Sequence, residues 1–168
     1  IAYQAVLGGR RISIGGMAKG SGMIHPSMAT MLSYITCDVG IDHVLWSKMI
    51  KRVAESSFNA ITVDGDTSTN DTFLAFSSGP KLDPRYFSAL EEGLHLTAQY
   101  LAKAIARDGE GANCLLEIKV EGAPSDLDAH AIARTIASSS LVKTAVHGSD
   151  PNWGRIIAAL GRAGTSFN

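Results

Sequence analysis

The stretch from residue 15 to residue 32 constrains the possible folds of this chain more than any other stretch. Its first half holds four glycines and one lysine, Lys19, so the backbone there can adopt positive φ angles and approach a ligand closely. Pro26 fixes the middle of the stretch, and the sequence after Thr30 mixes apolar and hydroxyl residues as a strand does. We expect a glycine loop that places Thr30 first in a strand, either as a simple turn or as the presentation of a nucleophile.

The other sequence patterns predict an α+β fold, or α/β layers, because neighbouring strands are mixed with strand–helix–strand units. One domain over residues 1–168 is expected from the length. The predicted elements are a hairpin over 3–14, a helix over 43–58 capped by Asp42, a strand over 73–76, a helix over 84–107, a strand over 113–121, a helix over 126–138, a strand over 141–146, and a last helix that Asp150 caps and Pro151 begins.

Periodicity also predicts which side chains are buried. Residues 31, 33, 35 and 37 share one face of the strand after Thr30, and residues 30, 32, 34 and 36 share the other. The last helix should bury Trp153, Ile156, Ile157 and Leu160. Cys37 and Cys114 lie in apolar runs far apart in the sequence, so we expect two buried free thiols and no disulfide.

Composition excludes several classes of function. The formal net charge is −1, and the basic clusters are no longer than Arg10-Arg11 and Lys51-Arg52, which argues against nucleic-acid binding. We see no apolar run of membrane-spanning length and no signal peptide. Because the sequence begins without an initiator Met and stops soon after a helix, we expect it to be part of a longer polypeptide.

The polar segment from Asp64 to Thr72 is the second unusual stretch. An EF-hand loop needs glycine at its sixth position and glutamate at its twelfth, where this chain has Thr69 and Ala75. The five histidines lack the i, i+4 spacing of a zinc site, so no metal site is predicted. We expect a hydrogen-bonded turn that supports a neighbouring site.

The glycine loop does not match the known nucleotide-binding motifs. A P-loop has its lysine after the last glycine, whereas Lys19 comes before Gly20. A dinucleotide fingerprint would need glycine at His25. His147 and Asp150 suggest a serine triad, but the G-x-S-x-G elbow is missing from the sequence.

Thr30 is the remaining candidate for chemistry. A threonine hydroxyl is a weak nucleophile without a base, and one base is the threonine's own α-amine once the preceding peptide bond is cut. Such an amine has a pKa of about 7.7–8.0 in model compounds, so much of it is neutral near pH 8. Cleavage of the Ala29–Thr30 bond would create this N-terminus.

Four sequence blocks together resemble one family. The sequence over residues 16–32 closely resembles the autoprocessing region of the ornithine acetyltransferases, the bifunctional glutamate N-acetyltransferases of arginine biosynthesis. The resemblance covers nearly the whole chain in the family's order and spacing. The other three blocks are 57–59 running into 64–72, 107–112, and 150–156.

The resemblance implies a self-cleaving enzyme of the N-terminal-nucleophile type, with stacked sheets flanked by helices, of which this chain is an incomplete part. The precursor would be cut between Ala29 and Thr30. Residues 1–29 would end the α chain, and residues 30–168 would form most of the β chain, with both chains in a heterotetramer. A cytoplasmic location is implied, or a chloroplast or mitochondrion in a eukaryote.

The resemblance also assigns the site. Thr30 would be the catalytic residue that carries the acetyl group, and Lys19 and Glu110 would bind the substrate with it. Lys19 suits an α-carboxylate and Glu110 suits an amine. N-acetylornithine would give its acetyl group to Thr30 and glutamate would take it, with acetyl-CoA as a possible second donor and no bound cofactor.

The resemblance implies, too, that some of the site lies outside this sequence. The family's oxyanion-stabilising threonine–glycine pair precedes Ile1, so the 168-residue chain alone is expected to be inactive. Two other functions remain open. One is an aminopeptidase or amidase with an N-terminal nucleophile, against which the Lys19 and Glu110 blocks argue, and the other is an uncleaved, non-catalytic binding domain.

Overall fold

A four-stranded mixed sheet forms the centre of the computed structural model, which describes residues 1–25 and 31–165. The two antiparallel pairs come first in sheet order, and the last pair is parallel. In sheet order the strands are β1 (Ala2–Leu7), β2 (Arg10–Lys19), β3 (Leu32–Cys37) and β4 (Thr72–Ser77). The predicted hairpin is confirmed, and its turn residues Gly8 and Gly9 both have positive φ angles (60° and 78°), as such tight turns require.

Five α-helices in the described residues accompany the sheet and make this an α+β fold, as predicted. Asp42 caps α1 as expected, since its carboxylate accepts the N–H groups of Val44 and Leu45 at 3.0 and 3.3 Å. Among residues 1–25 and 31–165, no helix is both long and apolar enough to cross a membrane. The helices are α1 (His43–Glu55), α2 (Phe87–Arg107), α3 (Asp126–Ala137), α4 (Ser140–His147) and α5 (Trp153–Leu160).

The main core lies between the sheet and the first two helices. α2 packs on β1 and β2, and α1 packs on β4. A bidentate ion pair between Arg52 and Glu91 (2.6 and 2.8 Å) joins the two helices at their surface. The predicted alternation in β3 is confirmed, because Ile35 is fully buried and Tyr34 faces outward. The outward face of the sheet carries exposed apolar side chains, among them Val6, Met17, Tyr34, Leu74 and Phe76.

A second, smaller core joins α3, α4 and α5 around Ile132, Ile136, Val142 and Ala159. The side chain of Lys143, on α4, links this part to the main core. Its Nζ donates to the backbone oxygen of Val63 at 2.6 Å. The part formed by α3, α4 and α5 is therefore attached directly beside the polar segment that starts at Asp64.

The glycine loop begins later than predicted. β2 runs on to Lys19, so Gly15 and Gly16 lie within a strand. A Cβ on Gly16 would come within 2.9 Å of Leu101 Cδ1 and 3.1 Å of Thr97 Cγ2 on α2. Gly16 thus serves close packing between sheet and helix and not loop flexibility.

Two predicted strands are wrong. Residues 113–121 alternate as a strand would, but they pair with no strand in the described part of the chain. Residues 141–146 belong to α4, where Ser139 caps the helix through the N–H of Val142 (3.4 Å). A short apolar run fits either structure, and here Val142 and Ala145 are buried with helical spacing.

The last helix also differs from its prediction. It begins at Trp153 and not at Pro151, and Asn152 caps it by accepting the N–H of Arg155 at 3.2 Å. The predicted burial is wrong for Trp153, which is 75% exposed, and for Ile156 and Ile157, which are also exposed, whereas Leu160 is partly buried against the second core. The predicted burial of both thiols holds for Cys37 only, since Cys114 lies in the unpaired segment 113–121 and is exposed. Both cysteines are free.

Candidate active site

Three strands meet at one end of the sheet, where β2 ends and β3 and β4 begin. Lys19 is the last residue of β2 and lies opposite Leu32, the first residue of β3. Leu32 in turn lies opposite Thr72, the first residue of β4. Lys19, whose side chain is exposed, therefore lies beside the start of β3, two residues after Thr30 in the sequence.

Ala29 and Thr30, the predicted cleavage site and nucleophile, lie outside the described residues. Met31 is the first described residue after them, and its side chain is buried. The Met31 N–H donates to Asp71 Oδ1 at 2.8 Å, and the Met31 carbonyl oxygen accepts the N–H of Thr72 at 3.0 Å. The backbone N–H and the backbone carbonyl group of Met31 are thus both held by hydrogen bonds.

The arm of the glycine loop that precedes residue 26 is held by Asp64. Its carboxylate accepts the N–H of Met23 at 2.6 Å and that of Ile24 at 3.2 Å. The carbonyl oxygen of Ile24 also accepts the N–H of Val63 at 2.7 Å. Met23 has a φ of 51°, in the left-handed region that costs a non-glycine residue about 1–2 kcal/mol. Asp64 therefore stabilises an unfavourable backbone conformation.

Glu110 lies against the same loop. Its N–H donates to the carbonyl oxygen of Ser21 at 2.7 Å, and its carboxylate lies beside Gly22, where a Cβ would be 2.7 Å from Oε2. The structure thus brings together the two blocks that were expected to bind substrate. Glu110 also lines a cavity of about 510 Å³ bordered by residues 111–118, Lys143 and His147.

His25 makes a contact that sequence reasoning missed. The Thr62 hydroxyl donates to the carbonyl oxygen of Ile24 at 3.1 Å, and His25 Nδ1 lies 3.1 Å from the same hydroxyl oxygen. Because that hydroxyl proton is already engaged, we assign the imidazole proton to Nδ1. Burial, followed by the charges of Arg134 and Lys143, lowers the pKa of His25 and favours the neutral ring.

Asp71 lies in drier surroundings than a surface carboxylate does. Burial raises its pKa, and the hydrogen bond from the Met31 N–H acts in the opposite direction. Its second oxygen, Oδ2, is buried and has no hydrogen-bond partner among the described residues. A buried carboxylate oxygen without a partner among these residues is costly for folding and calls for an explanation.

The polar segment from Asp64 is the hydrogen-bonded turn that the sequence predicted. Asp64 Oδ1 accepts the N–H of Asp66 at 3.0 Å, and the Ser68 hydroxyl oxygen accepts the N–H of Asn70 at 3.1 Å. In residues 1–25 and 31–165, no group of three or more His, Cys, Asp and Glu side chains could hold a metal ion. The sequence pattern predicted support for a neighbouring site, but not which backbone groups are held.

Comparison with known proteins gives one family for the whole chain. The sequence matches the ArgJ family over residues 1–168. It is 92% identical over 168 residues to the arginine biosynthesis bifunctional protein ArgJ of Prochlorococcus marinus strain NATL2A, covering all of this chain and 40% of that protein. It is 65% identical over 167 residues to the ArgJ of strain MIT 9313, covering 99% of this chain and 39% of that protein.

A solved structure agrees with these matches. The crystal structure of arginine biosynthesis bifunctional protein ArgJ from Bacillus halodurans is similar with a TM-score of 0.78 and 44% identity, over 83% of this chain and 68% of that one. The likeness confirms the predicted fold class. The chain spans about 40% of the length of the curated relatives it matches. On these grounds the chain belongs to the ArgJ family.

Proposed function

We propose that the protein containing this chain is an acetyltransferase of arginine biosynthesis that moves the acetyl group of N-acetylornithine to glutamate. Family membership over residues 1–168 and the names of the relatives support the proposal. The observation that carries it is the hydrogen bond from the Glu110 N–H to the Ser21 oxygen (2.7 Å), because it joins the glycine loop to the 107–112 block. These are the two blocks to which the family resemblance assigns substrate binding.

Two charges account for recognition of the substrate. Lys19 binds the α-carboxylate, and Glu110 binds the side-chain ammonium group of the ornithine part. Both side chains are exposed and accessible to a ligand. A lysine and a glutamate at one site suit a zwitterionic amino acid better than a peptide backbone, which carries neither charge.

Self-cleavage prepares the nucleophile. The Thr30 hydroxyl oxygen attacks the carbonyl carbon of Ala29, the carbon–nitrogen bond breaks, and the nitrogen takes up the hydroxyl proton. Water then hydrolyses the resulting ester and leaves a carboxylate on Ala29 and a free hydroxyl on Thr30. Residues 1–29 then end the α chain and residues 30–168 lie in the β chain, and two copies of each chain assemble as a heterotetramer.

Transfer follows in two steps. The α-amine of Thr30 removes the hydroxyl proton, the oxygen attacks the acetyl carbon, and the amide bond breaks as ornithine leaves with a protonated amine. The amine of glutamate then attacks the acetyl-threonine ester and restores the hydroxyl. Acetyl-CoA acetylates Thr30 in the same way where it serves as donor. No bound cofactor is needed, because Thr30 supplies both the nucleophile and the base. The reaction takes place in the cytoplasm.

The test uses the full-length protein. Intact mass should reveal two chains cut between Ala29 and Thr30, and incubation with acetylornithine should add one acetyl group to the chain that starts at Thr30. Thr30→Ala should abolish both cleavage and transfer. An uncut wild-type protein, or one that hydrolyses peptides and transfers no acetyl group, would contradict the proposal. The 168-residue chain alone should transfer none.

A further inference from the structure

One polar segment holds the chain on both sides of residues 26–30. Asp64, near its start, accepts the N–H groups of Met23 and Ile24, and Asp71, near its end, accepts the N–H of Met31 at 2.8 Å. The held groups lie before and after the Ala29–Thr30 bond in the sequence. Two carboxylates of one segment thus fix where the chain enters and where it leaves this stretch.

We propose that Asp71 and Asp64 are positioning residues for self-cleavage and acetyl transfer, acting through the backbone on either side of the Ala29–Thr30 bond. Asp71 fixes the peptide unit that follows Thr30, and Asp64 fixes the arm that precedes Ala29. The proposal rests on the proposed function, since it assumes that this bond is cut and that Thr30 is the nucleophile.

Asp71 acts on Thr30 through a rigid unit. The peptide group that carries the Met31 N–H is planar, so a hydrogen bond to this N–H restricts the orientation of the whole group. The Thr72 N–H holds the Met31 carbonyl oxygen at 3.0 Å, which fixes the next peptide unit as well. A nucleophile must lie about 3–3.5 Å from the atom it attacks, and an error of about 1 Å costs roughly a hundredfold in rate.

Both anchors carry a cost that fold stability alone does not explain. Oδ1 of the Asp71 carboxylate accepts the Met31 N–H, whereas Oδ2 is buried and has no partner among the described residues. Met23, the residue that Asp64 holds, has the unfavourable φ of 51°. Strained and under-satisfied groups cluster at functional sites, and both of these occur where the described backbone stops before residue 26 and resumes at residue 31.

The first experiment compares Asp71→Ala with Asp71→Asn in the full-length precursor. Alanine removes the acceptor, and one hydrogen bond to a charged group corresponds to roughly a tenfold or larger change in rate. We expect cleavage and kcat, counted per cleaved chain, to fall by about that factor, with KM for acetylornithine unchanged. Asparagine keeps an acceptor oxygen for the Met31 N–H, so its rates should stay within about threefold of wild type.

The second experiment compares Asp64→Ala with Asp64→Asn. Asp64 accepts bonds on both carboxylate oxygens, and an amide keeps one acceptor oxygen of the two. The rate of cleavage should therefore fall in the order wild type, Asp64→Asn, Asp64→Ala. Asp66→Ala is the matched control, because the Asp66 carboxylate makes no hydrogen bond among the described residues, and it should cleave as the wild type does.

Three outcomes decide the proposal. Wild-type rates in Asp71→Ala and Asp64→Ala would overturn it. Equal losses in Asp71→Asn and Asp71→Ala would also overturn it, because the acceptor oxygen would then be irrelevant. Loss of kcat in Asp71→Ala at unchanged KM, with rescue by asparagine, supports it. An uncut wild-type precursor would instead remove the proposed function itself.

Discussion

Gly22 leaves the space in which the carboxylate of Glu110 lies. A Cβ at position 22 would be 2.7 Å from Glu110 Oε2 and 3.8 Å from Asp64 Oδ2. The neighbouring Ser21 oxygen accepts the Glu110 N–H, so the backbone and the side chain of Glu110 both face the loop. The absence of a side chain at position 22 thus determines where the predicted substrate-binding carboxylate is held.

Gly22→Ala should weaken substrate binding with little effect on folding. The added methyl group pushes the exposed Glu110 side chain away, and loss of one charge-assisted contact corresponds to about a tenfold rise in KM for acetylornithine. The free energy of unfolding should change by less than about 0.5–1 kcal/mol, since a flexible side chain gives way. Steady-state kinetics of the full-length enzyme check this.

Gly15→Ala is the control for that substitution, because its Cβ would make an ordinary 3.4 Å contact with Thr36 Oγ1. It should leave KM unchanged. An unchanged KM in Gly22→Ala, with Glu110→Gln raising it, would show that Glu110 binds substrate from another position.

His25 should make stability depend on pH. Burial and the charges of Arg134 and Lys143 lower its pKa below 6.5, whereas Asp64 and Asp66 act in the opposite direction. The unfolded chain then binds more protons at this site than the folded chain, so the free energy of unfolding falls as pH decreases from about 6.5 through the folded pKa. Urea unfolding of the full-length protein between about pH 7 and 5 measures this slope.

His25→Asn should flatten that slope, since its amide N–H₂ group replaces the Nδ1 donor to Thr62 and does not titrate. The matched control is His43→Asn, at the exposed start of α1. An identical slope in His25→Asn and the wild type would mean that other groups cause the pH dependence.

The two thiols should differ in reactivity. Cys114 is exposed, whereas Cys37 is buried and burial raises its pKa, against the smaller effects of hydrogen bonds from Val39 and Ser77. The thiolate is the reactive form, so a thiol reagent should label one cysteine in the native 168-residue chain and two after denaturation. Cys114→Ser should abolish native labelling, and Cys37→Ser should leave it intact. Rapid native labelling in Cys114→Ser would contradict the burial of Cys37.

The sequence predicted those elements whose signals are local. The Asp42 cap and the alternation of β3 depend on residues close together in the chain, and both are confirmed. The alternation of residues 113–121 failed, because a strand needs a hydrogen-bonded partner that its own sequence does not specify. The prediction for 141–146 failed because a run of six mostly apolar residues fits a helix as well as a strand, and the choice depends on packing against α5.

The candidate site divides in the same way. The resemblance named Lys19 and Glu110 from their motifs, and the structure places both motifs around the glycine loop. The partners of Asp64 and Asp71 could not be predicted, because each bond joins residues 40 or 41 positions apart. The sequence pattern of the polar segment predicted a hydrogen-bonded turn, but the groups that the segment holds depend on where β3 and β4 pair.

The open face of the sheet leads to a last prediction. Leu74 on β4 is 42% exposed, whereas Ile35 on the neighbouring β3 is fully buried under the helices. Ile35→Ala should cost about 2–5 kcal/mol of unfolding free energy, from lost burial and the cavity left behind. Leu74→Ala should cost less than about 1 kcal/mol, because little of its surface is removed from water. Urea unfolding of the 168-residue chain compares the two, and equal losses would show that the open face is packed in solution.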